Sequence, residues 1–86
     1  MQTKVRLVLY TRTNCGLCEK MKAQIKLAKC DELYSLEEVD IETDATLFAR
    51  YRDDIPVLCI NGRDAFKHQL NAQDFRRAIQ SLSDQA

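Results

Sequence analysis

The sequence has few residues that break regular structure and no excess charge of either sign. Its 86 residues include one proline and two glycines, and Lys+Arg and Asp+Glu both number 13. A net charge of zero gives no long-range attraction to nucleic acid or to an anionic membrane. No run approaches the roughly 18 apolar residues of a membrane span. With 45% hydrophobic residues, a chain this short builds one modest core. We therefore predict a single domain, residues 1–86, that binds neither nucleic acid nor membrane.

Targeting and cofactor-binding signatures are also missing. The apolar run at residues 7–10, which follows Lys4 and Arg6, is far too short for the apolar region of a signal peptide. Four cysteines in a short chain suit a secreted disulfide framework, but here their spacing is uneven. We expect a cytoplasmic protein whose thiols are reduced at rest. No flavin or nicotinamide fingerprint is present, so the electrons for any redox reaction must come from a partner.

Two of the four cysteines form a Cys-x-x-Cys motif. Cys15 and Cys18 flank Gly16-Leu17, where an apolar run meets an amphipathic stretch. Two thiols at this spacing can close and reopen a small disulfide ring. A helix N-terminus favours negative charge, which lowers the pKa of the first thiol and exposes a reactive thiolate. Such a motif beside a βαβ pattern is typical of thioredoxin-like redox proteins. We predict Cys15 as the nucleophile and Cys18 as the resolving thiol.

A zinc site is the competing interpretation of the same motif. Zinc needs a second ligand pair at short spacing, and Cys30, Cys59 and His68 do not form one. Redox chemistry is therefore favoured, and no metal ligand is predicted. Cys30 is about 22 Å from Cys15 along a helix that rises 1.5 Å per residue, too far to bridge it. We interpret Cys30 and Cys59 as structural, and Tyr51 as a packing residue.

Hydrophobic periodicity predicts the element order β-α-β-α-β-β-α. Strands are predicted at residues 5–10, 36–41, 57–60 and 63–69, the first of them buried on both faces. Helices are predicted from Leu17 to near Cys30 or Asp31, after Thr43 or Asp44, and after Asn71. Asn61-Gly62 is a hairpin signal, because both turn positions need φ > 0. A parallel βαβ unit followed by a hairpin gives an α/β fold, a mixed four-stranded sheet with helices on both faces.

These features resemble the glutaredoxin branch of the thioredoxin-like superfamily. Residues 10–18 are similar to the strand, basic residue and Cys-x-x-Cys of that family, and residues 54–57 are similar to its Thr-Val-Pro segment. The resemblance implies a thioredoxin-like fold of the glutaredoxin type and a thiol–disulfide oxidoreductase. It also implies a cis Ile55–Pro56 bond that faces Cys15. Ile55 and Pro56 are accordingly predicted to bind the substrate.

Arg12 precedes Cys15 by three residues and has two open interpretations. Its guanidinium is placed to support the thiolate or to bind a substrate carboxylate. A solvated loop cation is the alternative, because loop charges are ordinarily exposed. Arg12 is included among the predicted substrate-binding residues.

The sequence departs from the glutaredoxin pattern at positions that bear on the binding of glutathione. Glutaredoxins carry Pro-Tyr between the cysteines, where this chain has Gly16-Leu17. They also carry a glycine pair before the last helix, beside the bound glutathione, where residues 68–71 contain no glycine. Asp54 replaces their threonine and puts an anion near the place of a glutathione carboxylate. We expect no tightly bound cofactor, with glutathione as a weak co-substrate. Thioredoxins carry a tryptophan before the first cysteine. This chain has no tryptophan, so it does not match the thioredoxin pattern.

The predicted partners are a disulfide-containing protein or mixed-disulfide substrate and an external reductant, and the protein is expected to be a monomer. Two other functions remain open. One is a redox-silent or redox-sensing interaction module on the same fold. The other is an iron–sulfur cluster carrier, by similarity to the monothiol glutaredoxins, which the missing glycines and the presence of Cys18 disfavour.

Overall fold

The computed structural model describes residues 4–84, which form one sheet and three α-helices. The strands are β1 (Val5–Thr11), β2 (Tyr34–Asp40), β3 (Val57–Ile60) and β4 (Arg63–Lys67). The helices are α1 (Gly16–Leu27), α2 (Ala45–Tyr51) and α3 (Ala72–Asp84), and short 3-10 turns at Asp31–Leu33 and Ile41–Thr43 flank β2. The predicted element order is confirmed. None of the helices within residues 4–84 is long and apolar enough to cross a membrane.

The four strands form a mixed sheet in the order β2-β1-β3-β4. β2 runs parallel to β1, β3 runs antiparallel to β1, and β4 runs antiparallel to β3. The hairpin turn between β3 and β4 is Asn61-Gly62, with φ values of 51° and 84°. The sheet therefore has the predicted composition, one parallel βαβ crossover and one antiparallel hairpin.

The sheet carries a hydrophobic core on each face. Leu7 and Leu9 of β1 are almost fully buried and contribute to the core beneath α1 and α3. Val8 and Tyr10, which alternate with them, belong to the core beneath α2, as the period of two along a strand requires. The prediction of helices on both faces is confirmed. Val8 and Tyr10 are half-buried and Arg6 is exposed, so the second face of β1 is less buried than predicted. The reason is that α2 has seven residues and covers little of it.

Several element ends differ from the prediction for local reasons. α1 ends at Leu27, because Lys29 has a left-handed φ of 54° and cannot continue a helix. β4 ends at Lys67, because His68 also has a left-handed φ, of 66°. β2 begins two residues earlier than predicted, at Tyr34, which is buried and packs edge-on against Phe75.

Replacement of Phe75 tests the larger core. Phe75 is 0% exposed, and its ring centroid is 5.7 Å from that of Tyr34. We expect Phe75→Ala to lower the free energy of unfolding by about 3–5 kcal/mol, through lost burial and a residual cavity. Leu27→Ala is the control, because Leu27 is 62% exposed, and its effect should stay within about 0.5 kcal/mol. Urea denaturation measures both, and equal losses would contradict this assignment of the core.

Candidate active site

The Cys-x-x-Cys motif lies where the central strand β1 passes into α1. Thr11, the last residue of β1, is buried, and Asn14 takes a left-handed φ of 61° that turns the chain toward the helix. Asparagine tolerates this conformation better than most residues. Cys15 is the N-cap of α1, with extended backbone angles, and its Sγ accepts a hydrogen bond from the Cys18 backbone N–H at 3.1 Å.

Cys15 and Cys18 form a disulfide. Their Cα atoms are 5.2 Å apart, within the normal range for a bridged pair. Cys15 is half-buried, whereas Cys18 is 1% exposed. A substrate can therefore approach the sulfur of Cys15, while the protein covers the sulfur of Cys18.

An open cleft of about 560 Å³ lies beside Cys15. Its lining combines the loop before α1 with the turn after β2 and the segment after α2: Arg12, Thr13, Asn14, Cys15, Glu42, Arg52 and Ile55. The structure thus brings together three of the predicted site residues, Cys15, Arg12 and Ile55. The other two, Cys18 and Pro56, are buried and do not line the cleft. The Ile55–Pro56 peptide bond is cis, as the resemblance implied.

Glu42 and Arg52 line the cleft but were not predicted. Glu42 has a signal that was available, since ligands in α/β sheets bind outside the carboxyl ends of the strands, and residues 41–43 directly follow β2. Arg52 has no such signal, because it stands in a run of charged residues after α2. Two arginines and one glutamate therefore line the cleft together with Cys15.

The segment that leads into Pro56 is held on both sides. The backbone N–H groups of Asp54 and Ile55 donate to the Tyr51 carbonyl, at 2.8 and 3.1 Å. The Pro56 carbonyl accepts from the His68 N–H at 2.8 Å. Asp54 also pairs with Lys67, with 3.7 Å between Oδ2 and Nζ. These contacts fix Ile55 in the wall of the cleft.

The two remaining cysteines are buried in different cores. Cys30 belongs to the core beneath α1 and α3, and Cys59 to the core beneath α2, so the sheet separates them and they do not pair. Burial raises the pKa of Cys30. Burial, and then the hydrogen bond that Cys59 donates to Asp64, raises the pKa of Cys59 to about 11. Both thiols are therefore protonated at neutral pH and unreactive. No group of three or more His, Cys, Asp or Glu side chains suited to a metal ion occurs within residues 4–84.

Comparison with known proteins agrees with this geometry. The model of the glutaredoxin-like domain family (DUF836) matches residues 6–80. The glutaredoxin-like protein YDR286C homolog of Dictyostelium discoideum is 29% identical over 73 residues, which cover 78% of this chain and 68% of that protein.

Solved structures show the same architecture. The structural genomics target XcR50 of X. campestris is 28% identical with a TM-score of 0.74, and the match covers 87% of this chain and 96% of that one. Chloroplastic thioredoxin z, at 17% identity, shares the fold with a TM-score of 0.72 over 94% of this chain and 80% of its own. The fold is thioredoxin-like, the disulfide at Cys15 and Cys18 indicates a redox-type role, and the chain belongs to the glutaredoxin-like domain family.

Proposed function

We propose that this protein is a thiol–disulfide oxidoreductase in which Cys15 and Cys18 cycle between dithiol and disulfide. The observation that carries the proposal is the Cys15–Cys18 disulfide at the N-terminus of α1, beside an open cleft. The cycle begins when the Cys15 thiolate attacks one sulfur of a substrate disulfide. A Cys15–substrate disulfide forms, and the other half of the substrate leaves as a thiolate and takes up a proton.

Cys18 completes the cycle. Its thiol loses a proton and attacks the Cys15 sulfur, which forms the Cys15–Cys18 disulfide and releases the second substrate half as a thiol. The substrate gains two electrons and two protons. The protein supplies both electrons and the proton of Cys18, and solvent supplies the other proton, because Cys15 reacts as a thiolate. An external dithiol, or two monothiols, then returns the electrons to the protein.

The different environments of the two sulfurs support this order of attack. The sulfur of Cys15 lies at the positive end of the α1 dipole and accepts the Cys18 N–H, and both contacts stabilise a thiolate. Cys18 is buried in the first turn of the helix, where a protein disulfide cannot reach it. Once the substrate is bonded to Cys15, however, Cys18 is the neighbouring thiol.

Of the predicted substrate-binding residues, Arg12 and Ile55 are proposed to contact the substrate, and Pro56, which is buried, is proposed to support Ile55. The Ile55 N–H is committed to Tyr51, so we propose that Ile55 contacts an extended substrate chain through its carbonyl. Pro56 acts indirectly, because its buried ring holds this segment against the cleft. Arg12 is exposed, and its guanidinium is available for a substrate carboxylate.

Glutathione is proposed as a weak co-substrate, and no cofactor is tightly bound. Glutaredoxins have a glycine pair just before the last helix, whereas here Leu70 is buried and Asn71 caps α3. Helix N-terminal N–H groups commonly bind carboxylates, but protein side chains occupy those of α3. Asn71 Oδ1 accepts from Gln73 and Asp74, and Gln24 Oε1 accepts from Ala72 at 3.0 Å.

The proposed setting follows from the same chemistry. A dithiol that reduces its substrates must itself be reduced again, which the thiol pool of the cytosol favours, so we propose that the protein acts in the cytoplasm. Its proposed partners are a disulfide-containing protein and an external reductant, and the proposed active unit is a monomer.

Insulin reduction tests the proposed function. With dithiothreitol as the reductant, the protein should accelerate insulin precipitation, measured by turbidity. Cys15→Ser should reduce the rate to background, because the nucleophile is gone. Reduced Cys18→Ser, incubated with insulin after dithiothreitol has been removed, should accumulate a mixed disulfide at Cys15, visible as an added mass. Cys30→Ala is the control and should keep the wild-type rate. An inactive wild type would instead favour the interaction-module interpretation.

Alkylation tests the identity of the nucleophile. In the reduced protein at pH 7, a brief exposure to iodoacetamide should modify Cys15 before Cys18, Cys30 or Cys59. For Cys59, with a pKa of about 11, the thiolate fraction at pH 7 is on the order of 10⁻⁴. Peptide mass spectrometry reports the order, and the denatured protein, in which all four thiols should react at similar rates, is the control. Faster labelling of Cys30 or Cys59 would contradict the assignment.

Turnover of a glutathionylated peptide tests the weak use of glutathione. The rate should be slow, because the α3 N–H groups are already bonded within the protein. Asn71→Gly should raise the rate, since it frees the Gln73 and Asp74 N–H groups at a cost to the helix cap of only a few tenths of a kcal/mol. A wild-type rate equal to that of ordinary dithiol glutaredoxins would refute the expectation.

A further inference from the structure

Tyr51 connects β1, β4 and the segment after α2 that contributes Ile55 to the cleft. It is the last residue of α2 and is 4% exposed. Its ring stacks on Tyr10 of β1, with 4.5 Å between centroids. Its hydroxyl donates to Asp64 Oδ1 of β4 at 3.2 Å. Its carbonyl accepts from the N–H groups of Asp54 and Ile55. One residue thus joins the strand that leads to Cys15 with the segment that forms the opposite wall of the cleft.

A β-bulge places Asp64 where it can accept this hydrogen bond. Phe66 pairs with Leu58 and packs against the core beneath α1 and α3. In a regular strand Asp64, two residues away, would share that face. The register shifts between Leu58 and Cys59, so that Asp64 pairs with Cys59, and the extra residue brings its carboxylate to the α2 face. There Asp64 Oδ1 also accepts from Cys59 Sγ at 3.0 Å.

The pKa values of the two groups show that the Tyr51–Asp64 contact is a hydrogen bond in which the phenol keeps its proton. The hydrogen bond from Cys59, followed by the one from Tyr51, lowers the pKa of Asp64. Burial, and then the neighbouring Cys59 and Asp64, raises the pKa of Tyr51 to about 12. At neutral pH an ionised carboxylate therefore accepts from a neutral phenol. Tyr51 does not line the Cys15 cleft, so it can act on a substrate only through the residues that it holds.

Resting on the proposed oxidoreductase function, we propose that Tyr51 is a positioning residue that sets residues 54–56 against Cys15, and that Asp64 fixes the orientation of Tyr51. The ion pair between Lys67 and Asp54 also contacts this segment, but it is exposed and long at 3.7 Å, and such surface pairs contribute little. Loosening Tyr51 should therefore move the wall that binds the substrate chain. It should leave the chemistry of Cys15, which depends on the start of α1, unchanged.

The first test is Tyr51→Phe, which keeps the stacked ring and the backbone carbonyl but removes the hydroxyl. For insulin we expect KM to rise about three- to tenfold, which corresponds to the net contribution of one hydrogen bond. The effect should not be larger, because Asp64 is exposed and water competes with the Tyr51 hydroxyl for its carboxylate. The kcat and the alkylation rate of Cys15 should stay within about twofold of wild type. Tyr34→Phe, which alters a buried tyrosine of the opposite core, is the matched control and should leave KM unchanged.

Variants of Asp64 separate positioning from general loss of stability. Asp64→Ala should raise KM at least as Tyr51→Phe does, since it also removes the hydrogen bond from Cys59. The double variant should be no worse than Asp64→Ala alone, because Asp64→Ala already removes the contact that Tyr51→Phe removes. Asp64→Asn keeps an oxygen acceptor and should restore a KM close to wild type. An unchanged KM in Tyr51→Phe, or equal losses of kcat and Cys15 alkylation, would overturn the proposal.

Amide chemical shifts distinguish a failure of this inference from a failure of the proposed function. In Tyr51→Phe and Asp64→Ala, the ¹H–¹⁵N resonances of Asp54 and Ile55 should move, whereas in Asp64→Asn they should stay near wild type. If the wild type reduces no disulfide, the oxidoreductase proposal fails, and these shifts still decide whether Tyr51 positions the segment. If the resonances of Asp54 and Ile55 stay at wild-type positions in all three variants, the proposal that Tyr51 positions this segment is overturned.

Discussion

The site depends on the contact between the sulfur of Cys15 and the first turn of α1. Cys15 takes the N-cap position that serine or aspartate usually fills, and its sulfur accepts the Cys18 N–H at 3.1 Å. The same atom that must carry negative charge in the reaction thereby satisfies a helix N–H that would otherwise lack a partner. This contact requires the helix to begin at residue 16. The helix can begin there because Met21 and Ile25 bury one face of it against the sheet.

The opposite wall of the cleft, formed by the segment around Ile55, is held by different interactions. Ile55 and Pro56 do not stand at a helix N-terminus, and the exposed ion pair between Lys67 and Asp54 beside them contributes little. The segment is held by backbone hydrogen bonds to the carbonyl of Tyr51 and from the N–H of His68. One wall adjoins α1, whose Met21 and Ile25 lie in the core beneath α1 and α3, and in the other wall Ile55 packs against the core beneath α2. Because β1 and β3 are neighbours in the sheet, the two walls meet at the ends of those strands, and the disulfide lies at that junction.

Local patterns in the sequence predict most of the fold and the reactive pair. The Cys-x-x-Cys motif, the Asn61-Gly62 turn and the helical spacing in α1 and α3 are each set by neighbouring residues, and the structure contains all of them. The contribution of Arg52 to the cleft and the role of the Tyr51 hydroxyl could not be predicted. Arg52 lines the cleft together with residues that are distant from it in the sequence. The contact of the Tyr51 hydroxyl depends on strand register, because a single extra residue in β4 decides which face Asp64 occupies. The interpretation of Tyr51 as a packing residue describes its ring but not its hydroxyl.

The scarcity of glycine has a structural consequence at the site. Within residues 4–84, four non-glycine residues take a positive φ: Asn14, Lys29, Asn61 and His68. For residues other than glycine, this conformation costs on the order of 1 kcal/mol each, and the surrounding structure must enforce it. Asn14 directly precedes Cys15, and His68 donates to the Pro56 carbonyl. Two of the four thus stand next to the segments that form the cleft. A glycine at either position would accept many more backbone conformations, so the side chains present there restrict the segments on which the geometry around Cys15 depends.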